Sequence, residues 1–245
     1  MWVCQLGEIG YREALALQER VREARQQELV PDTLLLLEHN PPVYTRGRRS
    51  APGELSMGAE WYAARGIEII ETDRGGKVTY HGPGQLVGYP IVRVEDVVAY
   101  VRLLEQTLVA ALAQAGIAAR ARDDEGPDYT GVWVENRKIA SIGVHVARGV
   151  TTHGFAINVD AAALEPFGWV VACGLPDVQM TAIESERGDA AISLGSFGEL
   201  AAASLAGSLG HSARRVDPGE LRGRLDAAAP QRRGRAHEAA ASGRG

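Results

Sequence analysis

TGVWVENRKIASIGVHVARGVTTHGFAINV, residues 130–159, decides the fold class. The runs 130–134, 138–147 and 151–159 have the composition of three consecutive strands. Their connectors, ENR and RG, are short enough for an antiparallel meander. Upstream, residues 11–29 form an amphipathic helical pattern, with Tyr11, Ala14, Leu15 and Val21 near one face. The apolar run 33–37 after a proline predicts a buried strand. Residues 40–51, full of breakers and arginines, predict a loop. Ser56 is placed to cap a short helix ending near Arg65. Residues 67–71 and 86–94 predict strands, 95–115 a long helix ended by Gly116, and 196–209 a further helix. This mixed order with a late meander predicts an α+β fold rather than a regular doubly wound one. No linker precedes His211. The expectation is one domain over 1–210 and an Ala/Arg/Gly-rich tail over 211–245, too poor in Leu, Ile, Val and Phe to order itself fully.

Composition narrows the function. The chain has 245 residues and a formal net charge of −5, which removes the electrostatic case for nucleic acid as a main partner. The tail departs from this balance, with eight arginines against four carboxylates from His211 onward. No apolar run approaches the ~20 residues of a membrane span, and the start shows no basic region followed by an apolar stretch. The expected location is the cytoplasm, with Cys4 and Cys173 as reduced thiols. Lysine is scarce: of 26 basic residues only Lys77 and Lys138 are lysines. Arginine bias explains the ratio but not where lysine survives. Lysine can lose its proton when desolvated and arginine cannot.

Four segments carry candidate chemistry. DRGGKVTYHGPGQ (residues 73–85) holds glycines at 75, 76, 82 and 84 beside Tyr80, His81 and Gln85, a pattern suited to close backbone approach to a ligand. It matches neither the P-loop nor the dinucleotide-binding glycine pattern. NRKIASIGVHV puts Lys138 at the start of a strand, sharing a face with Ala140 and Ile142; a lysine simply reaching solvent is the plain alternative. THGFAINV alternates small Gly154 and Ala156 with Phe155 and Ile157. The small face leaves room for a ligand or, equally, for close packing. VACGLPDVQMTAI sets Cys173 beside Gly174 in an irregular stretch, a setting for a reactive thiol. Cys4, near a frayed amino terminus, is expected to be inert. No metal-ligand spacing and no G-x-S-x-G occurs. A Cys-His hydrolase with His81, His145 or His153 as base stays open, as does a binding module without catalysis.

Taken in order, RGGKVTYHGPGQ, KIASIGVHVARGVTTHGFAINV and CG followed by MTAI resemble the lipoate-biosynthesis octanoyltransferases (the LipB family). EHNPPVYTRG (residues 38–47) is similar to that family's early loop. The resemblance covers roughly residues 34–184 and stops short of the tail. It implies the single catalytic domain of biotin and lipoate protein ligases, with a mixed or antiparallel sheet flanked by helices. It implies a catalytic pair on Cys173 and Lys138. It implies an acyl site lined by Arg74, Gly75, Gly76, Lys77, Val78, Thr79, Tyr80, His81, Ser141, Ile142, Gly143, His153, Gly154, Phe155 and Ala156. Phe155 departs from the family's usual leucine. The implied partners are acyl carrier protein as donor, and as acceptors the lipoyl domains of 2-oxoacid dehydrogenases and the glycine-cleavage H protein. Arg46, Arg48 and Arg49 are candidates to dock an acidic carrier, with plain solvation the alternative. No metal and no cofactor are implied. An ATP-dependent lipoate or biotin ligase on the same fold is the nearest alternative.

Overall fold

The computed structural model describes residues 1–51, 53–171, 178–188 and 192–228. The chain opens with β1 (Trp2–Ile9), α1 (Tyr11–Gln26) and β2 (Thr33–His39), a βαβ unit whose strands pair in parallel. An excursion follows: β3 (Val43–Arg46), α2 (Ala59–Ala63), β4 (Glu68–Glu71) and β5 (Thr79–His81), which form a separate three-stranded sheet in the order β4-β3-β5. The chain then returns to the main sheet with β6 (Gln85–Ile91), crosses it with α3 (Val97–Gln114), and continues through β7 (Arg120–Ala121), β8 (Gly131–Val134), β9 (Arg137–Ala147) and β10 (Val150–Asn158). Last come β11 (Gln179–Met180), α4 (Ile183–Arg187), α5 (Leu194–Ser208), β12 (Arg214–Arg215) and α6 (Pro218–Ala228). The main sheet runs β12-β1-β2-β6-β10-β9-β8-β7, with β11 added in parallel to β9. The fold is α+β with a mixed sheet, and the β8-β9-β10 meander expected from residues 130–159 forms the side of it next to β7.

Burial on both faces explains why β2 is apolar without alternation. Leu34 and Leu36 face the layer of α3 and α5, where Leu104, Leu108 and Phe197 are fully buried. Leu35 and Leu37 face the layer of α1 and α6, with Leu17, Val21 and Leu221. By length and composition α3 is the described helix capable of crossing a membrane. Here its Leu104, Leu108, Ala111 and Leu112 sit at 0% exposure in the core against the sheet.

Four expectations need correction. Residues 43–46 lie in β3, not in a loop: Val43 and Tyr44 are buried between β4 and β5. The amino terminus is not frayed. Cys4 is wholly buried in β1, and burial pushes its thiol up to about 11, so it is inert for a different reason from the one expected. Ser56 does not cap α2. Its hydroxyl donates to the Trp169 carbonyl, and Gly58 holds the capping position. The domain does not stop at residue 210. Arg214–Arg215 pairs with β1, and α6 buries Leu221 and Leu225 against α1 and β1. Two leucines one helical turn apart suffice to dock a short helix that composition alone marks as solvated.

Candidate functional site

The excursion between β2 and β6 brings residues 74–81 over the middle of the main sheet. There a cavity of about 450 Å³ opens, in the range of small-molecule sites. Its walls come from the glycine-rich segment, from β9 and β10, from the first turn of α3 and from the turn at Pro127–Tyr129. Of the fifteen expected binding residues, fourteen line it: Arg74, Gly75, Gly76, Lys77, Val78, Thr79, His81, Ser141, Ile142, Gly143, His153, Gly154, Phe155 and Ala156. Tyr80 does not. Side chains alternate along β5, so Thr79 and His81 face the cavity while Tyr80 turns to Tyr44 and Phe167, at ring-centroid distances of 5.4 and 5.7 Å. Lys138 lines the cavity at 2% exposure.

The lining follows the β9–β10 ladder from Lys138 onward. The rung Val144–His153 lies six residues farther along β9, about 20 Å away at ~3.3 Å per residue. Between them Gly143 pairs with Gly154. Both positions exclude a side chain: a Cβ on Gly154 would stand 2.3 Å from the Gly88 carbonyl oxygen, and one on Gly143 would stand 2.8 Å from that of Gly75. These glycines let β6 and the glycine-rich segment close on the ladder. The Gly75 N–H donates to the Val144 carbonyl at 3.0 Å and fastens that segment down.

Arg74 acts as a clamp in this wall. Its guanidinium donates to the Thr45 carbonyl at 2.7 Å, to the Thr45 hydroxyl, and to the Gly75 carbonyl at 3.0 Å. Lys77 reaches Asp128 at 3.4 Å. Beyond the expected residues, the cavity also takes in Tyr11, Tyr89, Arg48, Arg49, Val97, Val98 and Val101. Arg48 and Arg49 belong to the arginine group named above as a candidate dock; the patterns of the other five in sequence carry no site signal, because each approaches from an element remote along the chain.

Two histidines have defined roles in the network. The Thr181 carbonyl can only accept, so the Asn158 amide donates to it at 3.0 Å. Asn158 Oδ1 then accepts from the Gln85 amide at 2.9 Å, and Gln85 Oε1 accepts from His81 Nδ1–H at 2.8 Å. This one-way chain fixes His81 as the Nδ1–H tautomer, and burial holds its pKa well below the usual histidine value. Its Nε2 is therefore a bare acceptor and cannot serve as an oxyanion donor. His153 has φ +58°, rare for a non-glycine residue inside a strand. Its main-chain N–H donates to Gln18 Oε1 at 2.7 Å, and its Nε2 lies 2.8 Å from Asp73 Oδ1. That hydrogen bond holds the Asp73 carboxyl down to about 2, with His145 a second neighbour at 3.4 Å. The hydroxyls of Tyr11, Thr79 and Ser141 are buried at the cavity without a hydrogen-bond partner among the described residues.

Cys173 lies outside the described residues. The chain on either side of it is tied to the cavity. Val171 N–H donates to the Glu54 carbonyl at 2.9 Å, and the Glu54 carboxylate accepts from Val78 N–H in the wall. On the other side Met180 pairs with Lys138, and Thr181 N–H donates to the Lys138 carbonyl at 2.9 Å. Among the described residues no group of three His, Cys, Asp or Glu side chains is placed to hold a metal ion.

Comparison with known proteins agrees with this architecture. A solved lipoate-protein ligase A bound with ATP superposes with a TM-score of 0.75 over 92% of both chains at 17% identity. A lipoate protein ligase of Thermoplasma acidophilum with bound lipoic acid does so with a TM-score of 0.72 over 92% of both chains at 16% identity. At these identities the likeness shows the fold alone. In sequence, an octanoyltransferase of Caldicellulosiruptor bescii is 47% identical over 74% of this chain and 80% of its own length. One of Solibacter usitatus is 49% identical over 73% of this chain and 81% of its own. The family model described as the lipoyl protein ligase A/B catalytic domain matches residues 10–206. With a shared fold, a family match over most of its length and close relatives of that name, the chain belongs to the lipoyl protein ligase A/B catalytic-domain family and, within it, to the octanoyltransferases.

Proposed function

We propose that this chain moves an octanoyl group from an acyl-carrier-protein thioester to a lysine of lipoyl domains, through a thioester on Cys173. The observation that carries this reading is a lysine at 2% exposure in the wall of the cavity, with Met180, seven residues after Cys173, paired to it. Seven residues span up to about 25 Å, a reach compatible with a Cys173–Lys138 pair. Chain reach and the two anchored flanks support the pairing.

The chemistry needs two residues of different kinds. The attacking species is a thiolate, and a free thiol titrates near ~8.5. Lys138 serves by taking the Cys173 proton and then, as an ammonium, stabilising the anion. Thiolate attack on the donor forms octanoyl-Cys173 and expels the carrier thiolate, which takes the proton from the Lys138 ammonium and leaves Lys138 neutral. In the second half the acceptor amine attacks that thioester, loses its proton to neutral Lys138, and expels the Cys173 thiolate. Thioester exchange is near equilibrium and amide formation is downhill, so no nucleotide is needed. Ser141, three residues from Lys138, has a hydroxyl free to donate to the acyl carbonyl. The hydrocarbon runs along the ladder past Gly143 and Gly154. Burying the chain beyond the carbonyl contributes roughly 5 kcal/mol at ~0.8 kcal/mol per carbon. A working thiolate suits the reducing cytoplasm.

The test is intact-protein mass after mixing with octanoyl-acyl carrier protein in the absence of acceptor. Wild type gains one octanoyl group, discharged by added lipoyl domain, and Cys173→Ser gains none. An adduct on the Ser variant at the wild-type rate, or transfer that requires ATP, sinks the reading.

A further inference from the structure

The rim of the cavity carries a feature that folding does not require. Val97 and Val98 open α3 at 42% and 68% exposure, two of the four large hydrophobic side chains exposed among the described residues. They are not needed to start the helix. Asp96 does that, accepting from the main-chain N–H groups of Val98 and Ala99 at 2.8 and 3.1 Å. A β-branched residue adds little to an exposed first turn. The same rim carries Arg48 and Arg49, both exposed. Their main-chain N–H groups donate to the carbonyls of Arg74 and Gly76, each at 3.0 Å, so they ride on a ledge fastened to the cavity wall. Arg49 has a half-exposed partner in Asp128 at 3.1 Å, and Arg48 has no ion pair among the described residues. Arg46 turns instead to Glu71 at 2.8 Å and is not part of the rim. On a chain of net charge −5, a cationic ledge is the local exception where an acidic partner meets attraction.

We propose that an acidic face of the acyl carrier seats on Arg48 and Arg49, with an apolar side chain of the carrier against Val97 and Val98. This rests on the transfer reaction proposed above. Donor and acceptor use one entrance in turn, so the contact is confined to the rim, short-lived and weakened by salt.

Steady-state kinetics with two donors, octanoyl-acyl carrier protein and octanoyl-pantetheine, test this in wild type, Arg48→Glu/Arg49→Glu and Val98→Glu. The side chains are exposed, and thermal melts confirm that the variants fold. With the carrier as donor, KM rises at least about tenfold in both variants with kcat nearly constant. The salt dependence of kcat/KM flattens in the arginine variant, and Arg48→Lys/Arg49→Lys retains most of the affinity. With octanoyl-pantetheine, which lacks the carrier's protein surface, the rise in KM is at least about fivefold smaller than with the carrier. An equal loss with both donors, or a rise confined to the KM of the acceptor domain, overturns the docking assignment. Absence of transfer by wild type from either donor would refute the transfer reaction instead. Calorimetric titration with the carrier then decides docking by itself, and equal affinity for wild type and the arginine variant sinks it.

Discussion

Lys138 joins the rarest basic residue in the chain to one of its most complete burials, 2% exposure. An ammonium is expensive to desolvate, and only a lysine, not an arginine, can surrender its proton when the reaction demands it. On the proposed mechanism, Lys138→Arg retains a cation but loses proton transfer, and octanoyl transfer measured at saturating donor is expected to fall by about 10²–10⁴-fold with the fold intact by circular dichroism. Gly154→Ala acts differently. Its new Cβ would meet main-chain oxygen and Pro90, neither of which can swing aside, so the variant loses about 1–3 kcal/mol in urea unfolding. Both residues were visible in the motifs. The residues that hold them were not: Gln18 under His153, Thr45 under Arg74 and Asn158 behind Gln85 are brought in across 135, 29 and 73 positions of chain. Tyr80 shows the opposite failure. The motif runs through it, yet strand alternation turns it away from the cavity.

Secondary structure was legible where one periodicity dominated. The meander, α1, α3 and α5 stand within a few residues of their expected places. β3 was hidden because its pairing with β4 and β5 is made by residues 25 or more positions away, while its own flanks are prolines and arginines. The carboxy-terminal helix α6 was hidden by composition, since an Arg/Gly/Ala-rich segment buries little. What it does bury matters: Leu221 and Leu225 are at 0% and 3% exposure beneath α1 and β1. Leu221→Ala is expected to cost about 2–5 kcal/mol, read from the urea midpoint. Truncation after Gly210 also strips β12 from β1 and exposes that edge, and should give soluble aggregates in size-exclusion chromatography.

Acid sensitivity follows from how the whole chain buries its histidines. Burial pushes His39 down to about 4 and His81 well below its usual value. Between about 6.5 and 4 the unfolded chain binds protons that the fold refuses, so stability falls as pH falls, by up to about 1.4 kcal/mol per pH unit for each histidine. Asp73, held to about 2 by His153, adds a further loss below its ordinary value of 3.8. Urea midpoints at pH 7, 5.5 and 4.5 check this. His39→Gln should flatten the slope, and a midpoint constant over that range would refute the account. Local order along the chain sufficed for the fold class and for the glycines that let backbones meet, because periodicity and backbone freedom belong to residues and near neighbours; it left Lys138 open between a buried and a solvated lysine, and the fold buries it. The folded state had to settle which side of β5 faces the cavity, which tautomer His81 adopts, that Arg48 and the valines of α3 share one rim, and that the tail closes the core. Those are facts about distance between segments far apart in the chain, and no stretch of sequence contains a distance to another.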